Sequence, residues 1–164
     1  MALPNKVLPG FSAAMYAQPG ATPTPLTLSQ LSTLASTSAI AVSGNLLNVE
    51  AIPAFGQDDA VASFTVAGSR QSDKIPTQSA PTSMTITAAW NPSDTVLLQV
   101  RADAYSGVTD RTYVISATDG TNIIYYAFNG RASQFQIDAA PGAEAKATFT
   151  IHPRGNLYGW SNNA

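Results

Sequence analysis

The pattern of hydrophobic and polar positions changes period abruptly near residue 91. From Ser83 to Trp90 it alternates strictly: Met84, Ile86, Ala88 and Trp90 fall on one face, with Ser83, Thr85 and Thr87 on the other. That is the pattern of a half-buried strand. Asn91-Pro92-Ser93-Asp94 ends it, and Leu97, Val100 and Ala104 then recur at helical spacing. Ser93 is placed to cap the helix, with Asp94 in the first turn, where negative charge suits the helix dipole. Gly107 supplies the stop. The predicted helix covers about 93–105.

Downstream the two-residue period returns. Asp110 to Thr118 and Asn122 to Phe128 read as strands joined at Asp119-Gly120, a type I′ hairpin signal. Ile123, Tyr125 and Ala127 back onto Ile124, Tyr126 and Phe128, so the second strand is expected to be central and covered on both faces. Asn129-Gly130 reads as the next turn. Ala132 to Ala139 and about 146–152 complete a meander, with Ala140-Pro141-Gly142-Ala143 between them, and 153–164 reads as a polar C-terminal tail.

Upstream the signals are weaker. Residues 1–25 hold Pro4, Pro9, Pro19, Pro23 and Pro25, which excludes a long helix and predicts an arm with one strand, Phe11 to Gln18. Leu28, Leu31 and Leu34 suggest a short helix within 27–37. Ala39 to Val42 and Leu46 to Ile52 read as one strand bent at Gly44. Val61 to Val66 alternates, and Gly68 to Pro81 reads as a long polar loop of the kind that is functional or mobile. The expected fold is a single domain, mainly β: a β-sandwich or open barrel with one packed α-helix, a long loop and terminal arms.

Composition adds one unusual fact. Charged residues are 11% of the 164-residue chain, with a net charge of −2, against about 25% in an ordinary soluble domain. Either neighbouring copies cover much of the surface, since interface centres are depleted in charge, or Ser and Thr simply serve as the polar residues. The cations (Lys6, Arg70, Lys74, Arg101, Arg111, Arg131, Lys146, Arg154) are scattered among acids, so no basic stripe for nucleic acid exists. The absence of cysteine excludes disulfides and thiol chemistry. With no secretory signal and no run of roughly 20 apolar residues, a soluble product made in a cytoplasm, without a membrane anchor, is expected.

Candidate chemistry is sparse. His152 is the only histidine, falls on the polar side of its strand, and has no acidic pair near it, so it reads as a surface or interface residue. Asp58-Asp59 reads as a solvated pair, because adjacent strand residues face opposite ways. There is no G-x-S-x-G, G-x-G-x-x-G, P-loop or H-E-x-x-H. Trp90, Tyr125 and Tyr126 read as core residues in preference to a sugar-stacking platform. No enzyme activity, cofactor or metal is expected.

The segment Ser83 to Gly155 resembles the tail tube proteins of long-tailed bacteriophages, a family related to the inner tubes of contractile injection systems. The resemblance rests on a strand ending in Trp-x-Pro that leads into a helix (MTITAAWNPSDTVLLQVRADA), then a hairpin with a polar turn (TYVISATDGTNIIYYAFNG). An Ala/Pro/Gly turn into a Thr-rich strand ending in Pro-x-Gly completes it (QFQIDAAPGAEAKATFTIHPRG). LLNVEAIPAFGQDD stands where the family has a strand and an acidic loop. The resemblance implies a structural virion protein that closes into stacked rings, usually hexamers, forming a tube for DNA ejection, assembled in the host cytoplasm and located in the virion tail. It implies self-association, partners such as tape-measure, tail-tip and terminator proteins, and DNA that passes without specific binding. The loop at about 56–81, with Arg70, Asp73 and Lys74, is then expected to reach adjacent subunits and rings. Glu50, Asp58, Asp59, Asp138 and Glu144 are the candidates for lining the lumen. The alternatives are an inner tube of a contractile secretion system or tailocin, and a carbohydrate-binding or adhesive β-sandwich.

Overall fold

The computed structural model describes residues 12–65, 67–68 and 71–162. In chain order it forms β1 (Ser12–Ala17), α1 (Leu28–Leu31), α2 (Leu34–Ile40), a 3-10 turn (Ser43–Asn45), β2 (Leu46–Leu47), β3 (Gln57–Thr65) and β4 (Ser72–Pro81). Then follow β5 (Met84–Ala89), α3 (Thr95–Ser106), β6 (Arg111–Thr118), β7 (Ile123–Asp138) and β8 (Lys146–Asn162). A six-stranded sheet of order β2-β1-β6-β7-β8-β5, with antiparallel neighbours throughout, curls into a half-barrel, and β3 and β4 form a separate two-stranded ribbon.

The alternation read in β5 is the reason for its burial: Met84, Ile86 and Ala88 are at most 1% exposed. Their registered partners Ile151, Phe149 and Ala147 on β8 are buried with them. Val96, Leu97 and Val100 of α3 pack into the same core, with Tyr113, Phe128 and Phe135. Fully burying one such side chain stabilises the fold by about 1.5–3 kcal/mol. On the opposite face of β6 and β7, Leu31 and Ile40 of the α1–α2 segment cover Val114 and Ala127. β7 therefore lies between β6 and β8 with apolar contacts on both faces, as its double apolar pattern requires.

Several sequence expectations are corrected. The helix is capped by Asp94, whose carboxylate accepts from the N–H groups of Val96 and Leu97 at 3.1 Å, so it begins at Thr95. Asp94→Ala is expected to cost about 1 kcal/mol in chemical denaturation. Asn129-Gly130 is no turn: β7 runs through it. Asn129 donates to the Leu26 carbonyl and accepts from Thr112 Oγ1. Gly130 is required where a Cβ would stand 2.8 Å from Ile151 Cγ2. Residues 153–162, read as tail, are the second half of β8 and pair with β7. Residues 39–52 are not one strand, because Ile40 ends α2 and the Asn45 amide caps the Ile40 carbonyl at 3.0 Å. The β6–β7 connection is the loop Asp119–Asn122 in place of a two-residue turn. Hydrogen bonds from the Asn122 and Thr121 N–H groups hold the Asp119 carboxyl below its ordinary range.

The long loop is also corrected. Gly68 to Pro81 contains β4, registered against β3 from Thr65↔Ser72 to Gln57↔Pro81 with a bulge beside Ala60. In a two-stranded ribbon each strand has a free edge, where a proline's missing N–H is tolerated.

Candidate functional site

The β3–β4 hairpin is the most exposed part of the fold. With nine residues in β3, it reaches about 30 Å at about 3.3 Å per residue. Its base is closed by the Thr82 N–H donating to the Gly56 carbonyl at 3.1 Å. Strand parity puts Asp58, Ala60, Ala62 and Phe64 on one face, and the register sets Ile75 opposite Ala62. Phe64 and Ile75 are 62% and 55% exposed. Of the expected loop residues, Lys74 is exposed on the other face opposite Ser63, Asp73 lies opposite Phe64 in the register, and Arg70 falls outside the described residues. Asp59 accepts a hydrogen bond from Ser79 Oγ at 2.6 Å. The apolar members Phe64 and Ile75 were not singled out from sequence, although the alternation of 61–66 carried the signal for Phe64.

A second surface is the polar face of β5, β8 and β7. The registers Thr85↔Thr150↔Ser133 and Thr87↔Thr148↔Gln136 bring hydroxyls and amides into rows. A shallow open groove of about 400 Å³ runs among Thr85, Gln134, Gln136, Thr148 and Thr150. His152 lies on this face, Nδ1 bonded to Ser83 Oγ at 2.9 Å and Nε2 to Ser133 Oγ at 2.8 Å. Both ring nitrogens are thus engaged by hydroxyls in a surface hydrogen-bond network.

Three of the five acidic candidates come together at the end of this face. Glu50 pairs with Lys146 at 2.5 Å, and Asp138 lies opposite Lys146 in the register. The hydrogen bond and charge of Glu50, with Glu144 and Asp138 nearby, hold the Lys146 ammonium above its ordinary range. The bridge Val49↔Ala88 brings Glu50 there. Asp58 and Asp59 are elsewhere, at the base of the hairpin.

A third feature escaped the sequence reading. Arg111, fully buried, pairs through Nε with Asp103 of α3 at 2.5 Å and donates from Nη1 to the Gln18 carbonyl and from Nη2 to the Gly20 carbonyl. The Gly20 N–H in turn donates to Gln99 of α3 at 3.0 Å. One guanidinium thus ties the chain after β1 to the helix. Burial, with Asp103 second, pushes the neighbouring Tyr113 phenol far above its ordinary value and keeps it neutral.

Among the described residues no group of three or more His, Cys, Asp or Glu side chains could hold a metal. No helix among them is long and apolar enough to cross a membrane. What the described surfaces offer is contact area: an apolar hairpin, a hydroxyl-rich face and open strand edges.

This half-barrel with its packed helix and projecting hairpin is a tail tube-like fold. No protein-family model matches the chain, and no curated protein matches it. Among solved structures it is similar to a chain of the anti-feeding prophage baseplate, determined by cryo-EM with 6-fold symmetry, with a TM-score of 0.61 at 9% identity over 98% of this chain and 97% of that one. It is similar to the SPP1 tail tube (TM-score 0.54, 10% identity, 93% of this chain and 77% of that one). It is also similar to a chain from the tail of an empty GTA particle refined with C6 symmetry (TM-score 0.52, 12% identity, 81% and 90%). At these identities the likeness is one of fold.

Proposed function

We propose that this chain is the repeating structural subunit of a phage-type tail tube: copies close into rings, expected to be hexameric, and the rings stack into a hollow conduit for DNA. The observation that carries this reading is the hairpin, a ribbon separate from the main sheet whose large apolar side chains Val61, Phe64 and Ile75 stay exposed in the folded subunit. Monomeric proteins rarely leave contiguous apolar surface uncovered, and a projecting element is suited to contacts beyond its own subunit. The tube-like fold and the 11% charge content support the same reading.

In such a tube the hydroxyl-rich face of β5, β8 and β7 faces the channel. Uncharged Ser, Thr and Gln do not bind phosphates strongly, and Glu50, Asp138 and Glu144 at its end add repulsion. Asp58 and Asp59 belong instead to the hairpin and its contacts. Asp73 and Lys74 lie toward the far end of that contact element, Arg70 is assigned to the same contacts as a proposal, and no catalysis is assigned to any residue. The tube forms the virion tail, meeting tape-measure, tail-tip and terminator proteins at its ends.

Sedimentation velocity over a wide concentration range tests the proposal. The expected result is a discrete ring-sized species that gives way to polydisperse polymer as concentration rises. A single monomer boundary throughout argues against it.

A further inference from the structure

Two exposed surfaces of this subunit are complementary. We propose that the β3–β4 hairpin of one copy docks into an aromatic, cationic socket on α3 and β7 of a neighbouring copy. The inference rests on the tube-subunit reading and adds to it the surface that receives the hairpin.

The socket is built around Arg101. Its guanidinium carbon lies 5.9 Å from the Trp90 ring centroid and 5.2 Å from that of Tyr105. Both rings meet Phe135 edge-on, at 6.0 and 6.4 Å. Tyr105 is 64% exposed, and Val108, just past the helix, 73%. Arg101 makes no ion pair among the described residues, and its buried Nε has no hydrogen-bond partner there. Just past the C-terminal end of α3, Arg131 and Arg154 share the Asp110 carboxylate at 2.8 Å, and Arg131 also donates to the Gly107 and Val108 carbonyls. Asp103 is already neutralised by Arg111. Arg101, Arg131 and Arg154 thus outnumber the one carboxylate left there, Asp110, along α3 and the segment after it, with the exposed Tyr105 and Val108 among them.

The hairpin has the opposite charge on a similar apolar ground. Ala60, Ala62, Phe64 and Ile75 share a face that begins at Asp58, and Lys74 is on the other side. An apolar ridge with a carboxylate at its base suits an apolar socket carrying a cation. Aromatic and arginine side chains are the usual anchors of such contacts. Tyr105 and Val108 remain exposed with the subunit's own hairpin in place, so a single chain does not cover both surfaces. A hairpin on one copy and a socket on the next is a head-to-tail contact, which continues from copy to copy.

The chain has no cysteine, so Ala62→Cys and Val108→Cys introduce unique thiols while keeping Phe64 and Tyr105. The two variants, mixed and treated with a short bismaleimide, are expected to give the mixed dimer. Ala62→Cys mixed with Leu28→Cys, an exposed position on α1, is expected to give only a background level. Arg101→Glu in the Val108→Cys chain should lower the yield about two- to five-fold, as for an exposed ion pair, and Asp58→Lys in the Ala62→Cys chain should restore it. Rings or tubes without the 62–108 product, or equal cross-linking to position 28, would overturn the socket while leaving the tube reading intact. A chain that never associates would overturn both.

Discussion

Replacing Arg111 with methionine is expected to cost about 3–5 kcal/mol of folding stability, most of the margin of a domain this size. The guanidinium is 0% exposed and Asp103 is 3% exposed, so the substitution leaves a carboxylate in the core without its counter-charge. It also strips the Gln18 and Gly20 carbonyls of their donor. Three contacts on one side chain hold together the chain after β1, the start of β6 and the last turn of α3. Urea denaturation followed by tryptophan fluorescence should show the midpoint collapse. The double substitution Asp103→Leu with Arg111→Met should recover part of the loss, because an apolar pair removes the stranded charge, but not all of it, because the two carbonyls remain unpaired. A full recovery would mean that the carbonyl contacts contribute nothing.

Removing the hairpin should do the reverse, leaving the fold and abolishing assembly. Gly56 and Thr82 are joined by a backbone hydrogen bond of 3.1 Å, so a short glycine linker can replace Gln57–Pro81 without moving β5. The large apolar side chains lost with it, Val61, Phe64 and Ile75, are exposed, and the denaturation midpoint should hardly change. The concentration needed for polymer growth should rise roughly a thousandfold, the effect of losing two interface anchors of about 2 kcal/mol each. Light scattering on the truncated chain gives the reading, and normal polymer growth would show that the hairpin is not the stacking element.

The sequence revealed those parts of the fold in which burial has a period. β5 and α3 were legible because one face of each is buried and the other is not: Met84, Ile86 and Ala88 on the strand, Leu97 and Val100 on the helix. β4 was not legible, because a ribbon exposed on both faces has no burial period to display, and Pro76 and Pro81 look like loop residues until the free edge is known. The lengths of β7 and β8 were hidden by Asn129-Gly130. That pair suits a turn locally but is held in strand by the side-chain bonds of Asn129 to Thr112 and Leu26 and by pairing with β6 and β8, all remote in sequence. Among the candidate site residues, Glu50, Asp138 and Glu144 were identified by charge alone. Their association around Lys146 depends on the Val49↔Ala88 bridge. The Arg111–Asp103 pair gave no signal, since a charged residue at the start of a strand ordinarily reads as solvent-facing.

The central claim is that copies of this chain build a hollow tube, and negative-stain electron microscopy of the purified protein at high concentration tests it most directly. The account predicts stacked rings or cylinders of constant width with a stain-filled channel. Dispersed monomers or shapeless aggregates at every concentration would contradict it.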